Sequence, residues 1–222
     1  DNEEKIMLKQ SAYNNQISAL RAQMNPHFIF NSLSSIQHLI TSDKKESAVK
    51  YLNKFSLLMR NLLEGSIEAN VVLAEEILLL EKYLELEALR FNNSFHYSIT
   101  VEENLDPKAV EVPSLIIQPF VENAILHGLL KKREDDKQIL IRFRKQDSFI
   151  ICEIEDNGIG RDASEAVKSV LKNSKKSRGI EVTEKRLQLL NHSEENSIQI
   201  IDKRNNQGQP TGTLVIIKIT IE

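Results

Sequence analysis

Three polar side chains interrupt an otherwise apolar run. Glu122, Asn123 and His127 stand in Pro113-Ser114-Leu115-Ile116-Ile117-Gln118-Pro119-Phe120-Val121-Glu122-Asn123-Ala124-Ile125-Leu126-His127-Gly128. On a helix Asn123 and His127 share a face at the i,i+4 spacing. Burying such groups without partners costs roughly 1–3 kcal/mol each, so they should meet a ligand, a metal or one another. A carboxamide oxygen is a good Mg²⁺ ligand when phosphates complete the coordination; a purely structural network is the competing explanation. A second stretch, Asp156-Asn157-Gly158-Ile159-Gly160, follows directly on an apolar strand. An acid at a strand end can accept a hydrogen bond from a ligand amine, while the glycines let the backbone pass close to a ring system. A tight turn accounts for the same five residues equally well. Ser177-Arg178-Gly179-Ile180 leads into a helix, where free N–H groups and a cation would cradle a polyphosphate. Gly212-Thr213 opens the last strand with a hydroxyl.

A histidine offers a different chemistry. In Gln23-Met24-Asn25-Pro26-His27-Phe28-Ile29-Phe30-Asn31-Ser32-Leu33, helical geometry puts Ile29, Leu33, Ile36 and Ile40 on one apolar stripe. His27, Asn31, Ser34 and His38 fall roughly opposite. The helix therefore buries one face and presents His27 on the other, where it is available to another group or is an ordinary surface histidine.

Composition narrows the classes. The chain has 222 residues, 41% hydrophobic and 27% charged, enough for one large or two modest domains with proper cores. A net charge of −3 argues against direct nucleic-acid binding, which calls for a basic surface. Cys152 is the only cysteine, which excludes an intrachain disulfide and a cysteine-rich zinc site. No apolar run approaches bilayer length, and the charged lead-in from Asp1 suggests a fragment of something longer.

The elements that must position these residues follow from periodicity. Residues 3–40 are helical in pattern, with Ile6, Tyr13 and Leu20 recurring every seven residues as a short coiled-coil seam. Pro26 marks a kink or break where the apolar face changes side. Residues 41–44 have the chemistry of a turn and N-cap, and a second helix carries Ala48, Leu52, Phe55, Met59 and Leu62 before Gly65. Two amphipathic helices joined this way form a hairpin whose exposed apolar face is best buried by a second copy, giving a dimeric four-helix bundle. A third helix spans 74–91. Strands are expected at 95–101, 138–144, 149–155, 197–202 and 213–221, with a loop at 104–113 and turns at 145–148 and 205–208. Residues 114–128 read as a helix with an internal proline, 161–178 as a polar mobile stretch, and 180–191 as a helix. The fold class is α+β: a coiled-coil stem (1–24), a helical hairpin for dimerisation (25–91) and a two-layer α/β sandwich for ligand binding (92–222).

In this order the motifs resemble the LytS/YehU-type sensor histidine kinases over essentially the whole chain. The resemblance rests on residues 23–33, on Gln118-Pro119-Phe120-Val121-Glu122-Asn123-Ala124-Ile125-Leu126-His127-Gly128, and on Asp156-Asn157-Gly158-Ile159-Gly160. The back half resembles the ATP-binding fold shared by gyrase, Hsp90 chaperones, histidine kinases and MutL.

The resemblance implies a set of roles. His27 is the phosphoacceptor, with Asn31 and Glu122 in the catalytic set, and Asn123 binds Mg²⁺. Asp156 recognises the adenine amino group, helped through water by Thr213. His127, Gly158, Gly160, Arg178 and Gly179 flank the ATP, and 161–178 form its lid. It further implies a homodimer, transfer of the phosphoryl group to a response regulator, commonly with a LytTR-type DNA-binding domain, and a cytoplasmic location beneath an upstream membrane-anchored sensor. Two departures stand out: Phe28 occupies the place of the acid that often follows the phosphoacceptor, and Glu181 stands where a second glycine is expected. They favour the alternative of a catalytically inactive nucleotide-binding dimeric scaffold. An ATP hydrolase with Glu122 activating water is the third possibility.

Overall fold

The computed structural model describes residues 26–65, 70–161, 183, 187 and 197–221, with side chains in the first stretch described from Phe28 to Leu62. The expected stem, Arg178, Gly179 and Glu181 lie outside these residues; of the helix expected at 180–191, only Thr183 and Leu187 are described, both helical and buried. The chain divides into two compact units, Asp1–Ala69 and Asn70–Glu222.

In the first unit, α1 (Pro26–Thr41) and α2 (Lys45–Gly65) form the expected hairpin. Its turn closes α1 with bonds from Lys44 N to Leu39 O at 2.9 Å and from Asp43 N to Ile40 O at 3.1 Å. This paired termination requires a left-handed residue at the helix end, and Asp43 supplies it with φ 57°. An aspartate tolerates that conformation better than most side chains. The Lys44 carbonyl then accepts the first bond of α2, from Ala48 N.

The buried line on these helices differs from the expected stripe. Phe28, Ser32 and Ile36 turn inward on α1, and Ala48, Tyr51, Leu58 and Leu62 on α2. Leu33 and Ile40 remain 48% and 54% exposed, as do Val49, Leu52 and Leu57 on α2 in similar measure. One helix can cover only a narrow line on its neighbour, and each of these carries apolar residues over a wider arc than that. The line chosen places Phe28 against Phe55, ring centres 6.2 Å apart, and buries Ser32 with Tyr51 Oη 3.5 Å from its Oγ.

The second unit is built on a five-stranded sheet, in the order β2-β4-β5-β7-β6. They are β2 (His96–Val101), β4 (Gln138–Gln146), β5 (Phe149–Asp156), β6 (Ile198–Arg204) and β7 (Pro210–Thr220). β2 runs parallel to β4 and the other pairs are antiparallel. Alternation sorts the faces. Ile141, Phe143, Ile150, Cys152, Ile154, Val215, Ile217 and Ile219 are buried. On the other face Arg142, Arg144, Glu153, Glu155 and Lys203 form an ion-pair ladder across β4, β5 and β6.

The helix α3 (Leu73–Arg90), expected to belong with the hairpin, packs in this second unit. The reason lies in two short strands, β1 (Asn70–Val72) and β3 (Glu111–Pro113), which pair antiparallel and tie the start of α3 to the 104–113 segment expected as loop. Leu73 N donates to Val110 O and Ala74 N to Pro107 O. The helix expected over 114–128 begins instead at Gln118. Pro119 lies in its first turn, where its missing N–H costs nothing; further inside, its ring would clash with the carbonyl four residues back. α4 (Gln118–Asn123) then widens into a π-helical turn, Ala124–Gly128, and a 3₁₀ turn, Leu129–Lys131.

Two glycines at the β6–β7 hairpin differ in what they tolerate. Gly208, in the turn, has φ 77° and nothing within 4 Å of an added Cβ. Gly212 has φ 131°, and its Cβ would collide with the Asp156 carbonyl oxygen. Gly208→Ala is expected to cost about 1 kcal/mol, the conformational penalty alone. Gly212→Ala should cost several times more, a difference that paired thermal melts would read directly.

Candidate functional site

Asp156 ends β5 in register with Ile139 on β4 and Thr213 on β7. The row is apolar at one strand and hydroxyl-bearing at the other, so a carboxylate arrives at the tip of the buried face and is 4% exposed. The backbone N–H of Gly158 donates to its Oδ1 at 2.8 Å, and that of Thr213 donates to the same carboxylate. Burial nonetheless dominates and pushes the carboxyl up to about 6 from its ordinary 3.8; the two N–H bonds and Lys203 only partly offset it. Because the folded-state value is raised, Asp156 contributes stability that is complete below pH 3.8 and lost as pH rises through about 6.

Three glycines let the chain close around this group. A Cβ on Gly128 would stand 2.9 Å from Asp156 Oδ1, and one on Gly158 would stand 2.5 Å from the Gly128 Cα. Gly212 lies against the Asp156 backbone from the other side. Ile159 N reaches Gly128 O at 3.4 Å, stitching the glycine turn to the end of the π-helical turn. Gly160, with φ 77°, faces Pro210. Asn157 points elsewhere. Its amide accepts from Gln138 N at 2.8 Å and donates to Asp136 O, fastening the loop before β4.

Glu122 and Asn123 close α4, half-buried, and His127 lies in the following π turn, which packs on β5 and β7. A π turn inserts one residue relative to α-helical spacing and re-aims the side chains beyond it, a device common at functional sites. Asn123 Nδ2 is buried with no hydrogen-bond partner among the described residues. A half-turn of the amide exchanges nitrogen for oxygen, and the same position then offers a bare oxygen donor. That fits an ion held by one amide oxygen and completed by phosphates. Glu87 on α3 bonds Arg90 with both oxygens at 3.2 Å. Burial raises its carboxyl above the usual range, Arg90 offsets part of the rise, and the charge of Glu122 adds to it.

The structure thus brings Asp156, Gly158, Gly160 and Thr213 together, with the π turn bearing His127 packed beside them. Arg178 and Gly179 lie outside the described residues. His27 and Asn31 belong to the first unit. His27 is the second residue of α1, and Asn31 follows one turn on, its carbonyl accepting from Ser35 Oγ at 2.9 Å. Sequence reasoning missed the packing roles of Gly128 and Gly212, for which a glycine closing one apolar segment and another opening the last strand were the available signals. It also missed the pair formed by Arg161 and Asp202 on β6, at 2.8 and 2.7 Å.

Comparison with known proteins bears on the family of the chain. The Histidine kinase family model matches residues 15–95. The sensor histidine kinase BtsS of Escherichia coli K12 is 36% identical over 156 residues, 69% of this chain and 26% of that protein. The sensor protein LytS of Bacillus subtilis is 32% identical over 145 residues, 65% of this chain and 24% of its own length. The chain therefore spans about a quarter of the length of the curated relatives it matches. A solved structure of the catalytic domain of histidine kinase ThkA is similar with a TM-score of 0.44 at 13% identity, covering 68% of this chain and 94% of that one. With the family model matching residues 15–95 and relatives 32–36% identical over about two thirds of the chain, the chain belongs to the LytS/YehU-type family of sensor histidine kinases.

Proposed function

We propose that this chain is the kinase region of a two-component sensor, which uses ATP to phosphorylate His27 and passes the phosphoryl group to an aspartate of a response regulator. The observation that carries the proposal is the buried Asp156 carboxylate, enclosed by Gly128, Gly158 and Gly212 where a flat base amine would meet it. In its ionised form it accepts the adenine amino group, and Thr213 stands next to it on β7 to help through water. On this reading Gly158, Gly160, His127, Arg178 and Gly179 would flank the nucleotide. Asn123 would hold Mg²⁺, which offsets charge on the phosphate oxygens when bound.

The chemistry asked of the chain is an in-line displacement. A neutral imidazole nitrogen of His27 attacks the γ-phosphorus; the N–P bond forms as the bond to the β-phosphate oxygen breaks, ADP departs, and the imidazole loses its proton. Asn31, one turn from His27, shares its face and orients the ring, and Glu122 supplies the acidic group at the nucleotide helix. Catalysis is then mainly positioning. The phosphoryl group moves on to a carboxylate oxygen of the regulator, for which a LytTR-type protein is the proposed partner. An upstream membrane-anchored sensor completes the proposal. No described helix is long and apolar enough to cross a membrane.

The exposed apolar residues of α1 and α2 are the surface on which we place a second copy, making a four-helix bundle. Leu33→Glu combined with Ile40→Glu should convert dimer to monomer in sedimentation experiments. Phe28, in the place of the acid that often follows the phosphoacceptor and buried against Phe55, favours the inactive scaffold as the second possibility.

Incubation with γ-labelled ATP and Mg²⁺ distinguishes the two. Acid-labile label in the wild type and none in His27→Gln is the expected result. Nucleotide binding without label points to a scaffold, and label persisting in the variant sinks His27 as acceptor. Asp156 makes binding pH-dependent: affinity for ADP should be level above pH 7 and fall about tenfold per unit below 6, as the carboxylate takes up its proton. Asp156→Asn should abolish binding at every pH, read by calorimetry.

A further inference from the structure

Glu76 lies on the first turns of α3 and is 3% exposed. A carboxylate so buried is costly unless donors surround it, and here the donors come from a segment 39 and 41 residues away in sequence. Leu115 N donates to Oε2 at 3.0 Å and Ile117 N to Oε1 at 3.5 Å. Both amides belong to the irregular stretch that leads directly into α4, the helix bearing Glu122 and Asn123.

That stretch does not hold its shape by itself. Leu115 has φ 58°, a conformation disfavoured for a branched side chain and kept only where the surroundings impose it. The N-terminus of α4 has no side-chain cap of its own, and Ile117, the residue preceding it, is fully buried. A carboxylate gripping the amides on either side of Ile116 supplies the missing constraint. On the other side, α3 is fixed at its start by β1, which begins where the chain enters the second unit at Asn70. The bonds from Leu73 N and Ala74 N to the 107–110 segment complete this frame.

We infer that Glu76 is a positioning residue, gripping the Leu115 and Ile117 amides so that α4 starts where Asn123 can serve a metal–nucleotide complex. Glu76 itself touches neither metal nor nucleotide. The inference rests on the kinase assignment, since it takes Asn123 to hold Mg²⁺. It assigns α3 a role beyond core packing: the helix that first receives the chain from the hairpin also sets the metal-binding side chain. Displacement of β1 would be passed to Asn123 through two hydrogen bonds.

The test measures ADP binding by calorimetry with and without MgCl₂, and takes the ratio of the two affinities. Base recognition by Asp156 contributes to both and cancels. Glu76→Gln keeps the size of the side chain but opposes an amide donor to one backbone donor. It should lower the Mg²⁺-dependent gain about tenfold, since a buried N–H loses its partner, while leaving metal-free binding near wild type. Leu86→Ala, which empties part of the core from the same helix, should lower the melting temperature and keep the wild-type ratio. If Glu76→Gln does not fold, Glu76→Asp retains the charge but falls one methylene short of both amides, and the same loss of ratio is expected. Unchanged ratios in the folded Glu76 variants, or an equal fall in Leu86→Ala, overturn the positioning role alone. A wild type that binds no ADP overturns the kinase assignment and this role with it.

Discussion

The second unit depends on how closely three stretches of backbone approach one carboxylate. Gly128 ends the π turn, Gly158 follows the central strand and Gly212 sits on its neighbour; each gives up a side chain so that the others can reach Asp156. The arrangement is self-consistent in a strict sense. The π turn must end where it does for Gly128 to meet Gly158, and β7 must carry a glycine just before Thr213, the residue paired with Asp156, for the strands to approach at that point. Burial at such a junction makes the carboxylate an uneasy ion. The fold is more comfortable with it protonated, whereas the proposed recognition of an amine calls for the charged form; on that reading stability is surrendered at neutral pH to keep a receptive group.

The first unit presents the opposite situation. Its two helices carry more apolar surface than one hairpin can cover, and the excess lies outward. Inside, a serine hydroxyl and a tyrosine hydroxyl occupy the line of closest approach, a polar contact that favours one alignment of the helices over its neighbours. The hairpin turn is equally specified, because Asp43 must adopt a left-handed conformation for both closing bonds to form.

Legibility in the sequence tracked how local the cause was. The strand ending in Asp156 and the glycines after it are consecutive, so alternation and turn chemistry revealed them together. The hairpin was legible because its two helices and turn are each marked by residues within a few positions. The buried line on α1 was misplaced because Ile29, Leu33, Ile36 and Ile40 are the most apolar set, but packing selected a line containing Ser32. β1 and β3 are three residues each, too short for any period to register. Pro119 reads as internal to a helix but marks a helix start. Glu76 was invisible in principle: an acid in a helix reads as surface, and its amides lie some forty residues downstream. Of the proposed site, what was legible is the set of side chains; their arrangement depended on contacts between distant segments.

At the open margin of the sheet, β6 pairs regularly with β7 through Lys203 and Gly212, and then slips so that Arg204 faces Pro210. The extra residue, Thr211, lies on β7, just before Gly212 passes close to Asp156. Among the described residues β6 has no further strand beside it, and Lys203 and Arg204 put two cationic side chains at its end. An unfolded or misfolded chain seeking to add a strand there would have to cover both charges. The end of the hairpin that approaches Asp156 thereby also guards the domain against edge-to-edge aggregation.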